Sequence, residues 1–262
     1  MIKKLIADSK KIVIKFGSNT LAGKDGKINS AFLKEFAEQA EALLKSGKQI
    51  VIVSSGAQVA GLSKMDKWAR KKDIHYRQAL CAVGQVELMD AWRSAFEQQN
   101  CHIAQILLTR EDFNETNRTL NMRNTLFTLV DEGIIPIVNE NDTVSVEEIK
   151  IGDNDTLAAR TAILWSADLL ILFSDINGLF NKNPKEFPEA VLLEEVRNID
   201  EIRKNITIGE TNNFGTGGIA TKLDAAQMTL SFGIPAIITD GGKPRSLEAL
   251  VNGSQKGTVF LP

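Results

Sequence analysis

The sequence predicts an α/β fold, a three-layer αβα sandwich in which helices cover both faces of a mostly parallel central sheet. Two observations carry that expectation. Six short apolar, β-branched runs recur, each closed by glycine or small polar residues, and their two-sided apolarity suits strands buried on both faces. Between them lie longer segments whose apolar residues return with helical period.

The expected strands are Lys11 to Phe16, Gln49 to Val53, His102 to Leu108, Ile134 to Val138, Leu169 to Phe173 and Ile234 to Thr239. The expected helices are Ser30 to Lys45, Tyr76 to Gln98, Asn117 to Glu132, Asp155 to Trp165 and Thr221 to Phe232. Leu21 to Ile28, which contains Asp25-Gly26, and Thr143 to Ile151, which alternates apolar with polar residues, read as small hairpins between the main units. No repeat, low-complexity linker or Pro/Gly-rich hinge interrupts the order, so one lobed domain over 1–262 is expected. Ligands of such folds bind beyond the carboxyl ends of the strands.

The bulk composition narrows the partners. With 262 residues, 43% of them hydrophobic, the chain can bury a substantial core. Its 31 Lys plus Arg against 33 Asp plus Glu leave a formal charge of −2, which gives no global field for nucleic acid or an anionic membrane. Any anionic ligand must be held locally. No apolar run approaches the ~20 residues that span a bilayer, and the opening MIKKLIADSKK lacks a signal-peptide core, so a cytoplasmic location is expected. Cys81 and Cys101 have no metal-ligand spacing with His75 or His102 and read as buried structural thiols. The basic stretch Lys64 to Lys72 reads as a solvated helical face.

Chemistry concentrates at the strand ends. Lys15 with Gly17 and Ser18 puts a cation beside a bare backbone after the first strand, a combination that suits phosphate. Ser54, Ser55, Gly56 and Ala57 follow the second strand at an expected helix N-terminus, where an anion would be stabilised. The same residues would equally serve a plain cap and turn. Asn139-Glu140-Asn141-Asp142 and Gly152-Asp153-Asn154-Asp155 flank one hairpin and hold more carboxylates and carboxamides than two turns require. They could converge on a substrate ammonium group or orient lysines and hydrated Mg²⁺ near phosphates. Ser174 and Asp175 end the fifth strand. Gly215 to Lys222, including Thr216, Gly217, Gly218, Ile219, Ala220 and Thr221, is the most phosphate-like stretch and leads into a helical pattern. It also fits the G-x-G-x-x-A form of the dinucleotide fingerprint, with Asp240 downstream, but the fingerprint must follow a strand and Glu210 to Phe214 reads as loop.

Taken together, Lys15-x-Gly-Ser, Val53-Ser-Ser-Gly-Ala, Ala82-Val-Gly-Gln85, Leu107-Leu-Thr-Arg110, Asn139-Glu-Asn-Asp, Gly152-Asp-Asn-Asp and Gly215-Thr-Gly-Gly-x-x-Thr-Lys222 make the chain resemble the amino-acid kinase family over essentially its whole length. The resemblance is strongest to members that use MgATP to phosphorylate the side-chain carboxylate of L-glutamate, the first step of proline biosynthesis. It implies that Lys15 and Lys222 flank the transferred phosphoryl group while Asp155 orients them. It places Ser55, Gly56, Ala57, Asp142 and Asn154 at glutamate, in a mainly glutamate-binding N-terminal part. Lys15, Gly17, Ser18, Ser174, Asp175 and Thr216 to Lys222 would bind ATP, with Mg²⁺ carried by the ATP phosphates rather than by a protein metal site. Ser174 stands where threonine is usual, and Asn183-Pro184 where Asp-Pro is usual. The resemblance further implies a homo-oligomer, dimer or tetramer, feedback inhibition by proline with a contribution from Asn117 to Arg123, and handover to glutamyl phosphate reductase. The additional C-terminal domain of many bacterial members, which resembles a pseudouridine-synthase RNA-binding domain, is not expected after Gly257 to Leu261. The competing readings are a kinase of the same family with another carboxylate or carbamate acceptor, and a non-catalytic sensor on the same fold.

Overall fold

Alternation along the strands builds a core on each side of the sheet. In β1 (Lys11–Phe16), Ile12, Ile14 and Phe16 join one apolar cluster while Val13 joins the other. β2 (Gln49–Ser54) divides Ile50 and Ile52 from Val51 and Val53 in the same way, and β5 (Leu169–Ser174) divides Leu169, Ile171 and Phe173 from Leu170 and Leu172. Successive residues of a strand point to opposite faces, so both layers of helices have something apolar to cover.

The computed structural model describes residues 1–23, 25–65, 73–145, 154–182, 184, 187–205 and 218–262. Besides the three strands named, these hold β3 (Ile103–Leu108), β4 (Ile135–Glu140), β6 (Glu195–Val196), β7 (Ala236–Asp240) and β8 (Gly257–Phe260). Among the described residues they form one sheet in the order β3-β4-β2-β1-β5-β7-β8-β6, parallel throughout except where β8 runs antiparallel to β7.

One face is covered by α1 (Ile2–Asp8), α3 (Ser30–Lys45), α4 (Ala57–Met65), α5 (Ile74–Glu97) and α10 (Ser246–Asn252), the short α2 (Ser18–Leu21) following β1 directly. An aromatic group fills this layer: Phe16 stacks on Phe173 at 5.2 Å and meets Phe36 edge-on at 4.7 Å, and Trp92 stacks on Phe96 at 6.0 Å. The opposite face carries α6 (Thr116–Asp131), α7 (Asp155–Trp165), α8 (Ile199–Asn205) and α9 (Ile219–Leu230). Among the described residues no helix is long and apolar enough to cross a membrane.

The expected α/β sandwich is thus the observed one. The helices expected at 30–45 and 155–165 have those bounds, and the other boundaries move by two residues or fewer. At Leu21 to Ile28 the turn reduces to one antiparallel bridge, Ala22 to Ile28, with Leu21 belonging to α2. Most of the Thr143 to Ile151 hairpin, and of the basic stretch Lys64 to Lys72, lies outside the described residues. Cys81 is buried as expected, whereas Cys101 is only half-buried because it sits just ahead of the half-exposed edge strand β3.

Candidate active site

Lys15 is the next-to-last residue of β1, and the strand's alternation turns it to the Val13 side, toward α7 and α9. Asp155 opens α7, and Lys222 lies in the first turn of α9. The three converge: Lys15 Nζ lies 2.6 Å from Asp155 Oδ1, and Lys222 Nζ lies 3.0 Å from Asp155 Oδ2. Thr221 Oγ1 donates to Asp155 Oδ2 as well, at 3.0 Å. Asp155 is completely buried, and the two lysines are 4% and 7% exposed. Burial alone would raise the Asp155 pKa, but the charges of Lys15 and Lys222, and their hydrogen bonds, hold it well below the usual carboxylate range. The carboxylate therefore stays ionised and fixes two ammonium groups on either side of itself.

Gly17 caps α2 in extended conformation and Ser18 begins it, directly after the strand that delivers Lys15. Gly218 caps α9, so Ile219, Ala220, Thr221 and Lys222 form its first turn, and the free N–H groups of that turn add to the positive end. Thr216 and Gly217 lie outside the described residues. Ser174 ends β5 nearly buried and donates to the exposed Asp175 carboxylate at 3.2 Å. Asp240 accepts from the Gly242 N–H at 2.8 Å and pairs with Lys243, local bonds that occupy the carboxylate a dinucleotide site would need for ribose.

A second group of polar residues lies beyond β2 and β4. Asn154, completely buried, donates through Nδ2 to the Ser54 carbonyl at 3.0 Å, Ser55 Oγ at 3.1 Å and Asn139 Oδ1 at 2.8 Å. Asn139 in turn donates to Gln85 Oε1 at 2.8 Å, and Trp92 Nε1 supports Ser54 Oγ from below at 3.0 Å. Gly56 adopts φ +101°, a backbone that L side chains rarely take, which lets the chain turn from β2 into α4 starting at Ala57. Asp142, 7% exposed, follows β4 and is held through its backbone carbonyl by Gln78 Nε2 at 3.2 Å. Burial first, then the neighbouring Glu140, pushes its carboxyl up to about 7, while Cys81 and Arg77 act the other way.

Two buried acceptors of this second group, Asn154 Oδ1 and Asp142 Oδ1, have no hydrogen-bond partner among the described residues. Buried acceptors in folded proteins are satisfied by protein groups, ordered water or a ligand, so these two are available to a donor. The structure thus joins Lys15, Thr221, Lys222 and Asp155 into one cluster and Ser55 with Asn154 into another, linked because Asn154 and Asp155 are consecutive. Sequence reasoning passed over Asn139 and Gln85 as individual site residues. The signal for Gln85 was its helical spacing from Gln78 and Cys81, which places all three on one helix face.

A mostly parallel sheet with a buried lysine–aspartate–lysine cluster at its strand ends is an arrangement suited to a polyanionic ligand such as phosphate. The chain belongs to the amino acid kinase family, whose profile matches residues 10–240. Curated relatives named glutamate 5-kinase share 62% identity over 260 residues in Alkaliphilus metalliredigens, covering 99% of this chain and 98% of that protein. The glutamate 5-kinase of Alkaliphilus oremlandii shares 58% over 261 residues, covering 100% and 99%. Among solved structures, the UMP kinase of Bacillus anthracis superposes with a TM-score of 0.65 at 17% identity, covering 97% of this chain and 96% of that one. An isopentenyl phosphate kinase gives 0.63 at 15% identity, covering 95% and 99%. These two share the fold.

Proposed function

We propose that this chain phosphorylates the side-chain carboxylate of L-glutamate with ATP, giving L-glutamyl 5-phosphate and ADP, the first step of proline biosynthesis from glutamate. The observation that carries the reading is the pair of buried lysines held at 2.6 and 3.0 Å by one carboxylate, next in the chain to Asn154, whose buried Oδ1 has no partner among the described residues. The acceptor carboxylate is already ionised near neutral pH, so its oxygen attacks the γ-phosphorus without a general base and the bond to the ADP oxygen breaks. The obstacle is electrostatic, since an anion must approach a polyanion in line. Lys15 and Lys222 offset that repulsion from fixed positions, and Asp155 keeps them from relaxing as the phosphoryl group moves.

Both Asp155 oxygens are engaged by ammonium groups, which fits an orienting role better than a metal ligand. Mg²⁺ brought with ATP would supply charge neutralisation at the phosphates. Gly17, Ser18, Ser174, Asp175 and the N-terminal end of α9 from Gly218 to Lys222 cradle the nucleotide. Ser55, Gly56 and Ala57 offer hydroxyl and N–H groups to the glutamate α-carboxylate, and Asp142 and Asn154 offer carboxylate and carbonyl oxygens to its ammonium group.

The test is ADP release from MgATP by purified protein with glutamate, N-acetylglutamate, aspartate or carbamate, hydroxylamine trapping any acyl phosphate. Glutamate-dependent ADP and hydroxamate are expected. Preference for another acceptor would keep the family and overturn the substrate, and no turnover with any of the four in folded protein would favour a sensor.

A further inference from the structure

Gln78, Cys81 and Gln85 fall three and four residues apart along α5 and so share one face of the helix. Gln78 and Cys81 bear on the segment that follows β4, and Gln85 meets the end of β4 itself. Gln78 Nε2 donates to the Asp142 carbonyl at 3.2 Å and lies 3.5 Å from the carbonyls of Thr143 and Ser145. Cys81, 3% exposed, lies between Gln78 and Gln85 on this face, and its thiol favours the ionised form of the Asp142 carboxyl group. Gln85 accepts from Asn139, the residue that orients Asn154.

The helix comes this close because two glycines meet where it crosses α4. A Cβ on Gly84 would lie 1.8 Å from the Ala57 carbonyl oxygen and 2.3 Å from the Gly61 nitrogen, and one on Gly61 would lie 2.0 Å from the Leu80 carbonyl oxygen. The same helix therefore braces the start of α4, beside Ser55, and the block that carries Asp142.

We propose that this face of α5, centred on Cys81, sets the affinity for the amino-acid acceptor by holding Asp142 in its binding orientation, which makes Cys81 a positioning residue rather than a catalytic one. The inference rests on the glutamate-kinase reading and deepens it. The charged groups that bear on Asp142 are Glu140 at the end of β4, which disfavours its ionised form, and Arg77 on α5, which favours it. Cys81 supplies a neutral donor on the favouring side, while Asp142 Oδ1 has no hydrogen-bond partner among the described residues and can accept from the substrate ammonium group. Without the thiol the carboxyl group keeps its proton to higher pH, and a neutral carboxyl group binds an ammonium group poorly.

The experiment is steady-state kinetics of the full chain and its Cys81→Ala, Cys81→Ser and Gln78→Ala variants. For Cys81→Ala the KM for glutamate should rise about fourfold near pH 6.5 and by less than about 1.5-fold near pH 8.5, as expected when one hydrogen bond to a titrating carboxylate is lost. The kcat at saturating glutamate and the KM for ATP should stay within about twofold, and Cys81→Ser, which keeps a donor, should restore the glutamate KM. Gln78→Ala should raise the glutamate KM by a factor that does not change with pH, because it removes bonds to carbonyls only. An equal rise at both pH values for Cys81→Ala, or a loss shared by kcat and the KM for ATP, would reduce Cys81 to core packing and overturn the proposal. A wild type without glutamate-dependent ADP release would sink the glutamate reading itself, a result distinct from an active wild type with unresponsive variants.

Discussion

Replacing Asp155 by Asn keeps the shape of the side chain and removes its charge, so it isolates what the carboxylate does for the two lysines. The wild-type group accepts Lys15 at 2.6 Å and Lys222 at 3.0 Å in a site where the aspartate is wholly buried. Removing one partner from a buried ion pair typically costs about 3–5 kcal/mol, because the remaining charge is left uncompensated. Here two ammonium groups lose the same partner, and Asn can accept from only one of them through its carbonyl oxygen. Losing one preorganised donor at an oxyanion site costs about 2.7–4 kcal/mol in the transition state, so loosening both lysines should lower kcat about a thousandfold.

Two measurements check Asp155→Asn: ADP release at saturating substrates, and urea unfolding followed between about pH 5 and 8. Because the folded-state pKa of Asp155 is depressed, its contribution to stability is complete above the unfolded value of 3.8 and is lost only as pH falls through the lower folded value. The stability deficit of the variant should therefore be constant across that window. MgATP should also raise its unfolding temperature more than that of the wild type, since the nucleotide restores the missing negative charge. A kcat within about tenfold of wild type would refute the clamp.

Lys15→Ala and Lys222→Ala should each lower turnover at least about a hundredfold in the same ADP assay, and activity within about tenfold for both would remove them from the mechanism. Asp142→Asn should stabilise the ligand-free protein at alkaline pH while weakening glutamate binding. The folded state holds the Asp142 proton up to about pH 7 against 3.8 in the unfolded chain, so that stabilising contribution is complete below the lower value and gone above the higher. The gain from Asn near pH 8 is at most about 4 kcal/mol, read by urea unfolding beside calorimetric titration of glutamate, and a loss of stability there would contradict the assignment. Gly84→Ala forces a Cβ to within 1.8 Å of the Ala57 carbonyl oxygen, so α5 must shift away from α4. We expect a loss of about 1–3 kcal/mol in thermal unfolding together with a raised glutamate KM, and a variant with wild-type values for both would disprove the close crossing.

Much of the architecture was legible because burial on both faces leaves a simple trace. Strands such as Gln49–Ser54 and Leu169–Ser174 are apolar at nearly every position, and a segment of that kind has few other places to sit. Less visible was the other edge of the sheet. β6 has two residues and β8 four, too few to establish a period, and the antiparallel pairing of β8 with β7 depends on where the chain returns after α10. The helix Ala57–Met65 was anticipated only at its N-terminus, and its extent was hidden for a different reason. Its small residues serve contact with α5, and they carry little of the amphipathic pattern by which helices are recognised.

The sequence by itself determined the kinds of groups present and their places at strand ends: a lysine near the end of β1, a serine–glycine turn after β2, paired amide–carboxylate blocks, and a lysine in the first turn of α9. Only the tertiary structure decided which of these meet. Lys15, Asp155 and Lys222 are far apart along the chain, and their convergence depends on β1 lying between β2 and β5 with α7 and α9 on the face toward which Lys15 points. The protonation of Asp142 was likewise beyond the sequence, because it arises from burial and from Glu140, Cys81 and Arg77 gathered around one carboxyl group. Residue types follow from the chain alone, whereas electrostatic interaction depends on distance and dielectric surroundings, which exist only once the chain has folded.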